Sequence, residues 1–131
     1  MRNHGIHPYD HDEHYGLIRA WLKARGLEAP PRERLSEVGY CVDDVAIGFL
    51  QLTTSKQAWI CDIVADPTVS AWERDHALRH LFHTLEAEAV AAGCCLVTSI
   101  TNLPIMKRRF ARMGYSAHGD FTLYSKKPGG S

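Results

Sequence analysis

The chain has 131 residues, 45% of them hydrophobic, and a formal net charge of zero from 15 Lys and Arg against 15 Asp and Glu. That length is enough for one domain with its own core, and the balanced charge argues against a general nucleic-acid binder and an acidic disordered segment. The zero is two opposite numbers: residues 1–104 hold 14 acids and 9 bases, and residues 105–131 hold 1 acid and 6 bases.

Ile6 to Tyr9 is a short strand candidate. Asp10 or Asp12 caps a helix to about Arg25, with Gly26 as its stop and Leu17, Ile18, Trp21 and Leu22 at helical spacing. Pro30-Pro31 breaks the chain before a short helix. Gly39 to Val42 is a strand, Asp43-Asp44 a turn, and Val45 to Thr53 an apolar strand. Lys56-Gln57 turns into a strand from Trp59 to Ala65, which Asp66-Pro67 ends.

Ser70-Ala-Trp-Glu73 fits a capping box, with the Glu73 side chain reaching back to the Ser70 N–H. The helix it opens carries the stripe Leu78, Leu81, Phe82, Leu85, Ala89 and Ala92 and stops at Gly93. Cys94 to Ile100 is an apolar strand. Pro104 to Met113 is a helix with Leu103, Met106, Phe110 and Met113 on one face, stopped by Gly114. Tyr115 and Phe121 to Tyr124 are strands around a turn at His118-Gly119-Asp120. The order predicts a mixed α/β plan, with helices on one sheet rather than a pure Rossmann alternation. Residues 1–127 form the predicted domain, and 128–131 a flexible C-terminal tail.

The longest apolar run, Ala89 to Val97, is about half of the ~20 residues that a membrane span needs. The N-terminal residues have no apolar stretch of the secretory kind. Cys41, Cys61, Cys94 and Cys95 form no C-x-x-C pair, and three sit in apolar, strand-like surroundings. Reduced core thiols in a cytoplasmic protein follow.

Three local patterns and their order resemble the GNAT superfamily of acyl-CoA-dependent N-acyltransferases. Ile6-His7-Pro8-Tyr9 before an acidic helix start is similar to that family's opening strand. Ile63-Val64-Ala65-Asp66-Pro67 resembles the end of its fourth strand. Thr101-Asn102, a short helix and Met113-Gly114-Tyr115 resemble its Asn…Tyr…Gly-Phe segment. The resemblance covers nearly the whole chain. It implies a single GNAT-like domain, with a mostly antiparallel mixed sheet splayed between the Trp59–Ala65 and Cys95–Ile100 strands.

It also implies roles. Acetyl-CoA would be the co-substrate, and an amine of a small molecule or protein the acceptor. The backbone of Ile63, Val64 and Ala65 would hold the pantetheine arm. Arg74 and Asn102 would help bind or orient CoA, and Asp62 would act as base. Two departures bear on activity. Residues 68–77 lack the family's glycine-rich loop, whose N–H groups bind the CoA pyrophosphate, and place Glu73 and Asp75 there instead. Phe110 stands where many members have a proton-donating Tyr, which leaves Tyr115, Tyr124 or water.

Each candidate has a plainer reading. Asp62 faces solvent or pairs with a neighbour, Asn102 caps the next helix, and the thiols pack in the core. His76, His80 and His83 share one helical face, but no carboxylate or Cys set completes a metal site there. His4, His7, His11 and His14 fit no metal signature, so no metal is expected. Lys107, Arg108, Arg109 and Arg112 form a cationic run. They are the solvated face of a helix, CoA-phosphate contacts, or a docking surface for an acidic partner; no aromatic interleaving supports RNA binding. A second function class therefore stands beside the enzyme: a catalytically inactive GNAT-fold binding or structural protein, for example phage-encoded and virion-associated, docking a partner through that helix.

Overall fold

Asp10 starts the first helix because its extended backbone lets one carboxylate oxygen accept the Asp12 N–H at 3.1 Å. The computed structural model describes residues 4–101, 103–119 and 122–128. Its elements are β1 (Ile6–Pro8), α1 (His11–Lys23), a 3-10 turn (Arg32–Arg34), β2 (Val38–Val42), β3 (Ala46–Leu52), β4 (Gln57–Ala65), α2 (Ala71–Ala91), β5 (Leu96–Thr98) and α3 (Pro104–Arg112). The chain divides into two compact units, Met1–Ile100 and Thr101–Ser131.

In the first unit, β1 to β5 form one mixed sheet in sequence order. The first four strands are antiparallel to their neighbours, and β5 runs parallel to β4. A parallel pair needs a crossover, and α2 supplies it. Asp43 and Asp44 turn β2 into β3 with φ of 55° and 52°. Positive φ at both positions matches the right-handed twist of the flanking strands.

The core has two layers. Ile18 and Trp21 of α1 pack with Cys41, Ile47, Phe49 and Val64 on one face of the sheet. On the other face Leu81 of α2 lies against Gly48 and near Ile63, and the Tyr40 hydroxyl donates to the Glu88 carboxylate. Successive strand residues point to opposite faces, so β3 is buried on both sides from Ala46 to Leu50. Leu81, Phe82 and Leu85 are fully buried, each contributing roughly 1.5–3 kcal/mol by leaving water. Ser70 caps α2 as its sequence predicts, accepting the Glu73 N–H at 3.1 Å. Among the described residues no helix is long and apolar enough to cross a membrane.

The first unit departs from the sequence reading in several places. The strand expected over Cys94–Ile100 is only Leu96–Thr98, and Leu96 is 49% exposed. It is an edge strand, and the Ser99 hydroxyl takes the Ile60 carbonyl at 2.9 Å in place of a further ladder bond. Of the four thiols, Cys41 is buried, Cys61 and Cys94 are half-buried and Cys95 is exposed. Only one is thus a full core thiol, because the edge strand is covered incompletely. Ala92 is also exposed, since α2 ends before it.

In the second unit, α3 follows the N-cap residue Leu103, whose N–H donates to the Thr101 hydroxyl at 3.2 Å. No side-chain hydrogen bond caps α3 among the described residues, and Asn102, the expected cap, lies outside them. Gly114 stops α3 with φ of 88°. No strand forms at Tyr115 or over 122–124. Leu123 and Tyr124 are 77% and 87% exposed, with no ladder partner among the described residues. Phe121, Asp120 and residues 129–131 lie outside the described set, and with them part of the predicted hairpin and tail.

Candidate active site

β4 carries the feature that sets the site. Its register with β3 runs Phe49↔Cys61 and then Ile47↔Val64, so Gly48 faces two residues, Asp62 and Ile63. This is a β-bulge. Asp62 takes the bulged position with φ of 52°, which non-glycine residues adopt rarely. The extra residue keeps Cys61 and Val64 on the α1 face although they are three apart. It also lifts the backbone at 62–63 out of the regular ladder.

The β5 side of the same strand opens at that level. β5 pairs with β4 only through Gln57↔Leu96, Ala58↔Val97 and Trp59↔Thr98. From Cys61 to Ala65, β4 has no strand partner on that side among the described residues. The bulge and the open edge coincide.

Asp62 reaches the surface, yet nearby protein partly desolvates its carboxyl and raises its pKa; the Cys61 thiol and the Arg34 guanidinium pull the other way. Cys61 is pushed up to about 11, first by burial and then by the Asp62 charge. A carboxylate made more basic by desolvation, beside an open strand edge, is a chemically competent proton acceptor. Ile63 is half-buried, whereas Val64 and Ala65 are buried. Only their backbone can meet a ligand at the edge.

The loop from β4 to α2 is closed by its own bonds. One Asp66 oxygen accepts the Thr68 N–H at 2.9 Å and the Thr68 hydroxyl at 2.7 Å. Arg74, expected to meet CoA, donates through Nη1 to the Val69 carbonyl at 2.6 Å and the Pro67 carbonyl at 3.3 Å. Its guanidinium staples the loop. The first-turn N–H groups of Ala71 and Trp72 have no intrahelical acceptor, and Glu73 adds negative charge there.

One aromatic feature escaped sequence reasoning. Trp72 is 73% exposed, and its ring stacks on His76 with centroids 5.3 Å apart and planes 10° from parallel. Their spacing of four on a helix could have signalled the pair. His76, His80 and His83 are exposed, as their place opposite the apolar stripe implies.

In the second unit, the half-buried Tyr115 packs its ring 5.0 Å from Phe110 and donates its N–H to the Phe110 carbonyl at 2.9 Å. Tyr124 is exposed. Lys107, Arg108 and Arg112 face solvent, and the half-buried Arg109 donates to the Met106 sulfur at 3.4 Å.

A mixed five-stranded sheet with a bulged fourth strand, a parallel fifth that parts from it and helices on both faces defines the architecture. The chain has the fold of the GNAT N-acyltransferases. A Trypanosoma brucei acetyltransferase superposes on 92% of this chain and 98% of its own with a TM-score of 0.64 at 17% identity. The aminoglycoside N-acetyltransferase AAC(6')-Iy in complex with CoA covers 93% of this chain and 98% of its own, with a TM-score of 0.63 at 17% identity. A transcriptional regulator from Bacillus halodurans covers 95% of this chain and 100% of its own, with a TM-score of 0.68 at 13% identity. No family model matches the sequence, and no curated protein does.

Proposed function

We propose that this chain is a GNAT-like N-acetyltransferase that uses acetyl-CoA and acylates an amine of a small molecule or protein. The observation that carries this reading is the bulge at Asp62 beside the open edge of β4. Backbone groups freed from a ladder suit the amides of a pantetheine arm, with Ile63, Val64 and Ala65 as its support. The acceptor nitrogen attacks the thioester carbonyl, a C–N bond forms and the C–S bond breaks. Asp62 or a water takes the ammonium proton. The departing thiolate takes one from Tyr115, Tyr124 or water. Asn102 would orient CoA or the acceptor. The crystallised likeness to a CoA-bound acetyltransferase supports this choice of co-substrate.

A second reading has its own support: a catalytically inactive GNAT-fold binding or structural protein. Phe110 has no transferable proton, and the loop after β4 is occupied by the Asp66–Thr68 and Arg74 bonds. One protein of this fold is a transcriptional regulator. In this reading Lys107, Arg108, Arg109 and Arg112 dock an acidic partner. The location would be cytoplasmic, or virion-associated for a phage-encoded protein.

Thermal melting with and without acetyl-CoA separates the two. A ligand at about 100 times its Kd adds about 2.7 kcal/mol, which shifts Tm by several degrees for a domain of this size. A shift with turnover on an amine panel supports the enzyme. No shift at millimolar acetyl-CoA overturns it.

A further inference from the structure

His14, Cys41 and Asp44 are distant in sequence and converge in the first unit. One ring nitrogen of His14, the Cys41 Sγ and one Asp44 carboxylate oxygen all lie within 4.8 Å of one another. His14 is on α1 and 4% exposed, Cys41 is on β2 and fully buried, and Asp44 is half-buried in the β2–β3 turn. Three elements thus present an imidazole, a thiol and a carboxylate to one point. That mixed donor set suits a borderline-soft divalent ion.

The spacing fits as well. The Cys41 thiol donates to Asp44 Oδ1 at 3.5 Å. In a tetrahedral zinc site with a Zn–S bond of about 2.3 Å and a Zn–O bond of about 2.1 Å, the two donors stand about 3.6 Å apart. That edge of the coordination shell already has the required length.

We propose that His14, Cys41 and Asp44 are a three-donor site for a thiophilic divalent cation, with Zn2+ the best match and water at the fourth position. Binding forms Zn–N, Zn–S and Zn–O bonds and releases one proton, from the Cys41 thiol, to solvent. The thiolate and carboxylate then balance the two charges of the ion. Glu13, whose Oε2 is 3.8 Å from His14 Nε2, adds negative potential at the same place.

The site carries a built-in competitor. His14 Nδ1 accepts the Asp10 N–H at 2.9 Å. Coordination at Nδ1 displaces that bond directly, and coordination at Nε2 moves the ring proton onto Nδ1 and displaces it too. The ion therefore links α1 to the β2–β3 turn while releasing one N-terminal hydrogen bond of α1.

Co2+ titration of the full chain, followed by Zn2+, tests this. One equivalent of Co2+ should develop a thiolate charge-transfer band. Cys41→Ser should abolish it, whereas Cys61→Ser and Cys95→Ser should leave it. Asp44→Asn should weaken binding by at least about tenfold; Asn tolerates positive φ, so this variant keeps its hairpin even if Cys41→Ser does not fold. Zn2+ should raise Tm in the wild type, and Asp10 amide exchange should speed up. No band at one equivalent, a band that survives Cys41→Ser, or undiminished binding by Asp44→Asn overturns the proposal. The last two results would place the ion on other thiols or on the His76, His80 and His83 face.

Discussion

Gly48 and Ile63 meet across β3 and β4 with no room for a β-carbon. A Cβ on Gly48 would lie 2.3 Å from Ile63 Cδ1 and 3.0 Å from Leu81 Cδ2. The bulge brings Ile63 over Gly48, and α2 closes the space above it. The packing of Ile63 at the bulge thus depends on a missing side chain in the neighbouring strand.

Gly48→Ala should therefore be destabilising, by about 1–3 kcal/mol from overpacking between two fixed layers. Urea denaturation measures this as a lower midpoint. If acetyl-CoA raises the Tm of the wild type, the variant should lose part of that shift, because the backbone at 62–63 must move. An unchanged midpoint would show that Ile63 escapes by a rotamer change.

Asp62→Asn separates chemistry from folding. Loss of a proton acceptor lowers rate by about 100- to 10,000-fold in enzymes that depend on one, so kcat on a competent amine should fall in that range while the fold persists. The stability effect has a definite sign. The Asp62 pKa is raised in the folded chain, mainly by desolvation, so its favourable contribution is full below the unfolded pKa and is lost as pH rises through the folded one. The wild type should thus lose stability relative to Asp62→Asn as pH rises past about 4. A constant difference across that range would mean that Asp62 is as well solvated folded as unfolded.

Thiol labelling at mildly alkaline pH should follow burial and charge. Cys95 is exposed and should react first, followed by the half-buried Cys94. Cys61 should be slow, because burial and the Asp62 carboxylate push it up to about 11. Cys41 should resist until the chain unfolds, pushed up to about 12 by burial and then by Asp44. Mass spectrometry of peptides at intervals reads this order. Early labelling of Cys41 would contradict its placement.

Trp72 and Trp21 should behave as opposites. Trp72→Ala touches an exposed ring and should stay within about 0.5 kcal/mol of the wild type. Trp21 is 5% exposed in the layer between α1 and the sheet, and Trp21→Ala should cost about 3–5 kcal/mol. Acrylamide quenching of tryptophan fluorescence should drop markedly in Trp72→Ala. Similar quenching in both proteins would mean that Trp72 is shielded in solution.

Features decided within one or two turns were legible in the sequence. Asp10 and Ser70 act as N-caps, and Gly26, Gly93 and Gly114 follow their helices with positive φ. Each rests on contacts between near neighbours, so residue type and spacing suffice. The buried stripe Leu78 to Ala89 and the order of elements along the chain follow from periodicity. The resemblance built on these patterns placed the fold, and Asp62 lies on the strand read over Trp59–Ala65.

The tertiary structure decided what depends on partners distant in sequence. The bulge at Asp62 needs an unobstructed Gly48 on the facing strand. Arg74, the expected CoA contact, also staples its own loop, because the Pro67 and Val69 carbonyls curl back within reach of its Nη1. β5 shortened at a sheet edge, where burial no longer rewards a longer apolar run. His14 and Cys41 are separated by 27 positions and read as a histidine fitting no metal signature and a core thiol; a helix packed on a hairpin brings them to one point with Asp44. Local chemistry sets caps and periodic faces by itself, whereas a site assembled from separate elements exists only once their packing has set the distances between them.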